Sequence, residues 1–187
     1  MGNLINPGMY TSATEEWETP EEFFKALDAR FRFTLDACAT KKNHKCDKYY
    51  TKEEDGLAQD WGGERVWINP PYGREISKWI QKAEEEARKV NTICVMLLPA
   101  RTDTAWFHDH VLPEADVYFI RGRIRFLGNE SSGNKANNAP FPSMIAVFDG
   151  RPRLTGWEAK AEMQIKGDPE EIRQKIKKAL GENELPK

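Results

Sequence analysis

The run Val66-Trp67-Ile68-Asn69-Pro70-Pro71-Tyr72-Gly73 places an amide, two proline carbonyls and an aromatic ring at the end of an apolar stretch. Two prolines and a glycine stop a strand abruptly, and the helical pattern that follows turns the chain outward at the carboxyl edge of a sheet. Open α/β sheets bind their ligands at that edge. The Asn69 oxygen and the Pro70 carbonyl both accept protons, and Tyr72 offers a flat face, so the loop suits a planar base gripped by its exocyclic amine. Two carboxylates occupy comparable places: Asp36 closes the strand-like run 31–37, and Asp55 sits in the turn Asp55-Gly56-Leu57. In a parallel sheet all three would share one rim.

The elements that must hold these groups follow from the pattern. Thr19-Pro20-Glu21-Glu22 reads as a helix start, with Thr19 as cap, Pro20 in the first helical position and Glu22 closing a capping box. Phe23, Phe24 and Leu27 supply its buried face. Short strands are predicted over 31–37, 46–51 and 65–68. Ile76, Trp79, Ile80, Ala83, Ala87 and Val90 recur at helical spacing, which predicts a helix over 75–90 with Glu84, Glu85, Glu86 and Arg88 in water. The apolar run 92–98 reads as a central strand buried on both faces and ended by Pro99. A short helix over 103–112 and strands over 115–120 and 143–148 complete the series, and Asp168-Pro169-Glu170-Glu171 opens a terminal helix. Strands alternating with helices imply an α/β fold, a mostly parallel twisted sheet with helices on both faces.

A chain of 187 residues fits one domain with a small appendage. The expected division is an N-terminal arm over 1–16, the main domain over 17–150 and an extension over 151–187 ending in a helix. With 28 basic against 30 acidic residues the net charge is -2, which excludes wholesale neutralisation of nucleic acid and leaves local patches to decide. Cys38, Cys46 and Cys94 form an odd set suited to a reducing cytoplasm, and no apolar run reaches the length of a membrane span. Cys38, His44 and Cys46 lack a fourth ligand, so no metal is expected; His108 and His110 read as surface or packing residues.

The order of these motifs resembles the phage-type DNA adenine methyltransferases of the Dam family, S-adenosylmethionine-dependent amino-methyltransferases with an Asn-Pro-Pro-Tyr loop. The resemblance rests on Trp17-x-Thr19-Pro20, Phe33-Thr34-Leu35-Asp36-Ala37-Cys38-Ala39, Asp55-Gly56-Leu57 with Asp60-Trp61, and Asn69-Pro70-Pro71-Tyr72-Gly73. Further along, the stretches 98–104, 122–126 and 139–143 extend it. It implies a Rossmann-like class I methyltransferase with S-adenosylmethionine as cofactor, double-stranded DNA as partner and a flipped adenine as target. Catalysis then falls to Asn69, Pro70, Pro71 and Tyr72, with Tyr72 replacing the lost base stacking. Similarity assigns Asp36 to the loop around the methionine part, with Ala37 and Cys38 where a glycine-rich turn is usual. It assigns Asp55 to the cofactor's adenine, and Trp17, Thr19 and Pro20 to an element closing over the ligand. Asp47 is a weak choice for the ribose.

The DNA-contacting segment is expected at 121–138. Arg121, Arg123 and Arg125 alternate along a strand and would share one face suited to phosphates, while Arg101 and Asp103 either shape the same rim or only start the next helix. Asn134, Lys135, Asn137 and Asn138 follow in a loop where base edges could be read. Two other readings stay open: the same chemistry on RNA or a protein glutamine, and a non-catalytic DNA-binding phage protein of this fold. The sequence leaves the target site and the oligomeric state open.

Overall fold

The computed structural model describes residues 17–126 and 137–150. The expected arm over 1–16 and the extension over 151–187 lie outside the described residues. In chain order the elements are α1 (Glu21–Phe31), β1 (Leu35–Asp36), β2 (Lys48–Tyr49), a 3₁₀ turn (Gly56–Ala58), β3 (Arg65–Ile68), α2 (Ile76–Ala87) and β4 (Ile93–Pro99). A π-helical turn (Phe107–Val111), α3 (Leu112–Glu114), β5 (Asp116–Phe119), β6 (Arg125–Phe126), β7 (Asn137–Asn138) and β8 (Ser143–Phe148) follow.

Six strands form one sheet in the order β2-β1-β3-β4-β8-β5. The pairs β1–β2, β1–β3 and β3–β4 are parallel, while β8 runs antiparallel to both β4 and β5. Five strands therefore share one direction and β8 alone opposes them. Helices cover both faces. Phe24 of α1 meets Trp67 edge-on at 5.6 Å. On the opposite face Cys94, in register with Val66, lies in the field of Glu86, Lys82 and Lys89 of the α2 segment. All of β8 and all but the first residue of β4 are buried, and each fully buried Leu, Ile or Met contributes about 1.5–3 kcal/mol.

Several boundaries differ from expectation for local reasons. The strand expected over 31–37 shrinks to Leu35–Asp36 because α1 runs on through Phe31 and ends at Arg32, whose φ of 53° is left-handed. Asp28 closes that turn, its carbonyl taking the Arg32 N–H at 2.7 Å and its side chain the Phe33 N–H at 2.7 Å. β4 ends at Pro99, as expected, although Pro99 is itself the last strand residue and is paired with Ser143. The helix expected over 103–112 is a wide π turn running into α3, and it sets His110 Nδ1 2.8 Å from Glu84.

Glu86, expected in water, is only 3% exposed. It accepts from the Trp61 backbone N–H at 2.9 Å, from Lys82 at 2.6 Å and from Lys89 at 2.7 Å. Burial alone would raise its pKa, but the two lysines and the Trp61 N–H outweigh it and hold the group below its ordinary value. Through Trp61 this carboxylate fixes the segment between the 3₁₀ turn and β3. In Glu86→Ala the lysines can swing to water, whereas the Trp61 N–H is stranded, so denaturant unfolding should show a loss of about 2 kcal/mol. An unchanged midpoint would contradict this role.

Candidate active site

The strand order reverses at β1, which has β2 on one side and β3 on the other. Such a switch point opens a crevice beyond the carboxyl ends of the two diverging strands. Here the crevice is a cleft of about 380 Å³, and Asp36, Asp55 and Asn69 all line it, as do Pro70 and Pro71. The three polar groups picked from the ends of separate runs are brought together on one rim.

Asn69 has two amide donors and both are engaged by the segment ahead of α1. Nδ2 donates to the Trp17 carbonyl at 2.5 Å and to Thr19 Oγ1 at 3.0 Å. A carbonyl can only accept, so the nitrogen end must face Trp17 and the oxygen end must face away. Asn69 Oδ1 is buried without a hydrogen-bond partner among the described residues. No backbone N–H of those residues donates to the Pro70 carbonyl. A buried orphan acceptor costs about 1–3 kcal/mol, and such atoms persist where function uses them.

Two expectations are corrected at this point. Thr19 does not cap α1: Pro20 occupies the cap position without a side-chain bond, its carbonyl taking the Phe23 and Phe24 N–H groups at 3.1 Å each. The Thr19 hydroxyl is engaged by Asn69 instead, and Pro20 does not line the cleft. Nor does Tyr72 present a free face to a base. It is 8% exposed, its hydroxyl donates to the Leu97 carbonyl at 3.2 Å, and Phe126 and Phe141 meet its ring edge-on at 6.4 and 5.5 Å. As folded, Tyr72 ties the loop to β4. Trp17 packs on the same two phenylalanines, at 5.4 and 5.5 Å.

On the other wall Asp36 is 3% exposed. Its oxygens accept from the Cys38 N–H at 3.3 Å and the Lys45 N–H at 3.0 Å, so it shapes the loop that carries Ala37 and Cys38 along the cleft. Burial pushes its pKa up to about 6, against the opposing pull of those two N–H groups and the Lys45 charge. Asp55 is exposed, has a left-handed φ of 51° and accepts from the Leu57 N–H at 3.2 Å. Gly56 follows it, and a Cβ there would stand 2.1 Å from the Ala37 carbonyl, so only glycine lets the two loops meet.

Asp47 is exposed and does not line the cleft. Lys45, which sequence reasoning passed over, does: its side chain is 9% exposed, with Nζ 3.2 Å from Glu21 and 3.9 Å from Glu18. No local signal marks it, because its partners lie more than twenty residues away. His44 bonds the Cys46 carbonyl at 3.0 Å and stacks on Tyr49 at 4.2 Å, and burial pushes the Cys46 thiol up to about 12.

Arg121, Arg123 and Arg125 are exposed while Ile124 and Phe126 are buried, so the alternation holds. The continuous strand does not. Gly122, at φ 86°, breaks the run, and among the described residues only Arg125–Phe126 pair with Asn137–Asn138, in a two-stranded ribbon apart from the main sheet. Asn134 and Lys135 lie outside the described residues. Arg101 and Asp103 are exposed and do not line the cleft.

The family model for DNA N-6-adenine-methyltransferase (Dam) matches residues 9–168. The chain belongs to the Dam family. A DNA N-6-adenine-methyltransferase of Escherichia phage T1 is 39% identical over 110 residues, 58% of this chain and 45% of that protein. One of Haemophilus phage HP1 is 32% identical over 136 residues, 71% of this chain and 78% of the relative. A putative methyltransferase, YfdM, of Escherichia coli K12 is 35% identical over 65 residues, 31% of this chain and 71% of its own length. The matched stretch thus spans less than half of the phage T1 protein. In this Dam-family chain the cleft, the Asn69 loop and the ribbon all fall inside the matched residues.

The Asp36 shift has a signed consequence. Its pKa of about 6 in the folded state exceeds the ordinary 3.8, so the folded chain holds this proton more tightly than the unfolded one. Its contribution is therefore favourable at low pH and is lost as pH rises from about 4 to 6, on the order of 3 kcal/mol in all. Urea unfolding of the wild type and Asp36→Asn at pH 4, 5, 6 and 7 should show the variant gaining relative stability across that window. A pH-independent difference would contradict the assignment.

Proposed function

We propose that this chain transfers a methyl group from S-adenosylmethionine to the exocyclic N6 amine of an adenine flipped out of double-stranded DNA in a host cytoplasm. The observation that carries the reading is the buried Asn69 Oδ1, which has no partner among the described residues and whose orientation the segment 17–19 fixes, beside a Pro70 carbonyl that takes no backbone N–H of those residues. The printed names of the phage relatives support the same substrate.

An adenine amine is a poor nucleophile because its lone pair is delocalised into the ring. Asn69 Oδ1 and the Pro70 carbonyl offer two acceptors for its two protons, which favours a more tetrahedral nitrogen with the lone pair directed outward. Both acceptors sit on a loop braced by Pro70, Pro71 and the Tyr72–Leu97 bond, so little reorganisation is needed when the amine arrives. Orientation and electrostatics of this kind lower a barrier by several kcal/mol. No covalent enzyme intermediate is required.

The cleft fits the proposed cofactor. It combines apolar walls from Leu57, Trp79 and Pro70 with the polar groups of Asp55 and Lys45, and Gly56 brings the Asp55 turn against the Ala37 loop. When bound, S-adenosylmethionine supplies an electrophilic methyl group on its sulfonium sulfur. Asp36 would hold the loop against the methionine part, Asp55 would face the adenine part, and Trp17 and Thr19 would cover the ligand. Since a base edge inside a duplex is out of reach, the adenine is flipped, with Arg121, Arg123 and Arg125 on flanking phosphates.

Methylome sequencing of a methylation-deficient bacterial host expressing the chain should reveal N6-methyladenine at one short sequence. Asn69→Ala should lose about 10²–10³ in kcat while keeping cofactor affinity in calorimetry. Wild-type turnover by that variant would sink the mechanism. Arg123→Ala and Arg125→Ala should each weaken DNA binding across sequences and lower the slope of log K against log salt by about 1. An unchanged slope would remove the ribbon from the DNA surface.

A further inference from the structure

The two ends of an asparagine amide have nearly the same shape, so Asn69 could turn about χ2 and exchange Oδ1 for Nδ2 with little steric penalty. The exchange would be fatal to the proposed chemistry, because a donor would then confront a donor. What forbids it is the segment ahead of α1. If the amide turned, Oδ1 would face the Trp17 carbonyl, acceptor against acceptor, where Nδ2 now donates at 2.5 Å. The carbonyl decides which end points inward. The Thr19 hydroxyl, 3.0 Å from the same nitrogen and on a residue 2% exposed, takes the second N–H and so fixes the torsion where water has little access to replace it.

The segment itself is held at both ends. Trp17 packs against Phe126 and Phe141, and Lys45 reaches Glu18 at 3.9 Å and Glu21 at 3.2 Å. These contacts tie the orientation of a side chain on the β3 loop to residues fifty positions earlier in the chain.

We infer that Thr19 is a positioning residue for methyl transfer, acting through the Asn69 amide rather than only as cover for the cofactor. The inference rests on Asn69 being the acceptor for the target amine. It goes beyond that reading by giving Thr19 a role in kcat.

The test compares full-length wild type, Thr19→Val and Thr19→Ser for incorporation of tritiated methyl from S-adenosylmethionine into DNA from a methylation-deficient host. Cofactor Kd is measured in parallel by calorimetry. Valine keeps the shape and removes the acceptor. It should lower kcat about tenfold, the loss of one net hydrogen bond, with cofactor Kd within about twofold of wild type, and serine should restore most of the rate. Unchanged kcat with weakened cofactor binding would overturn the inference and leave Thr19 as cover only. Asn69→Asp provides an arm that leaves Thr19 intact. It keeps an acceptor for the amine but offers the segment 17–19 no amide donor, so its kcat should fall at least about tenfold, and wild-type kcat would overturn the inference. Wild-type turnover by Asn69→Ala would instead remove the underlying reading. Inactive Asn69→Ala alongside wild-type Thr19→Val would remove the inference alone.

Discussion

A primary amide has one end that accepts and one that donates, and a backbone carbonyl tolerates only the second. At Asn69 this rule is decisive, since the Trp17 carbonyl and the Thr19 hydroxyl share its amino group and leave Oδ1 buried with no partner among the described residues. The rest of the fold can be ordered by how it keeps that amide in place. β3 delivers Asn69 to the switch point, Pro70 and Pro71 prevent the strand from continuing past it, and the Tyr72 hydroxyl ties the loop to β4.

The opposite wall of the cleft obeys a different constraint. Asp36 is buried and uses its oxygens on the Cys38 and Lys45 N–H groups, so it acts on the loop's shape more than on anything within the cleft. Gly56 lets the Asp55 turn close against that loop. Trp61 anchors the turn from below, donating from its indole to the Gly56 carbonyl at 3.0 Å while Glu86 receives its backbone N–H. The cleft is thus braced through a carboxylate on the far helix, a residue whose pattern in the sequence suggests only a solvated face.

What the sequence discloses follows from what is local. β3, β4, β8 and α2 are legible because a continuous apolar run or a 3.6-residue repeat survives whatever surrounds it. The direction of β8 is not legible, since a strand buried on both faces looks the same running either way. β1 is overextended in the reading because Phe31 and Phe33 look alike in a sequence, although one ends a helix and the other lies beyond its left-handed cap. Thr19-Pro20-Glu21-Glu22 fits a capping box, yet a partner fifty residues away competes for the hydroxyl and wins. The shared rim of Asp36, Asp55 and Asn69 is visible in advance, because strand ends can be counted. The burial of Tyr72 is not, because Phe126 and Phe141 arrive from distant segments.

The central claim is that Asn69 meets the target amine with its oxygen because the segment 17–19 holds its nitrogen. A structure of the full chain with S-adenosylhomocysteine and a duplex bearing the methylation site tests it most directly. The account predicts the flipped adenine N6 within about 3.2 Å of Asn69 Oδ1 while Nδ2 still donates to the Trp17 carbonyl. An adenine held by other groups, or an Asn69 that has left Trp17 and Thr19 to engage the base, would contradict it.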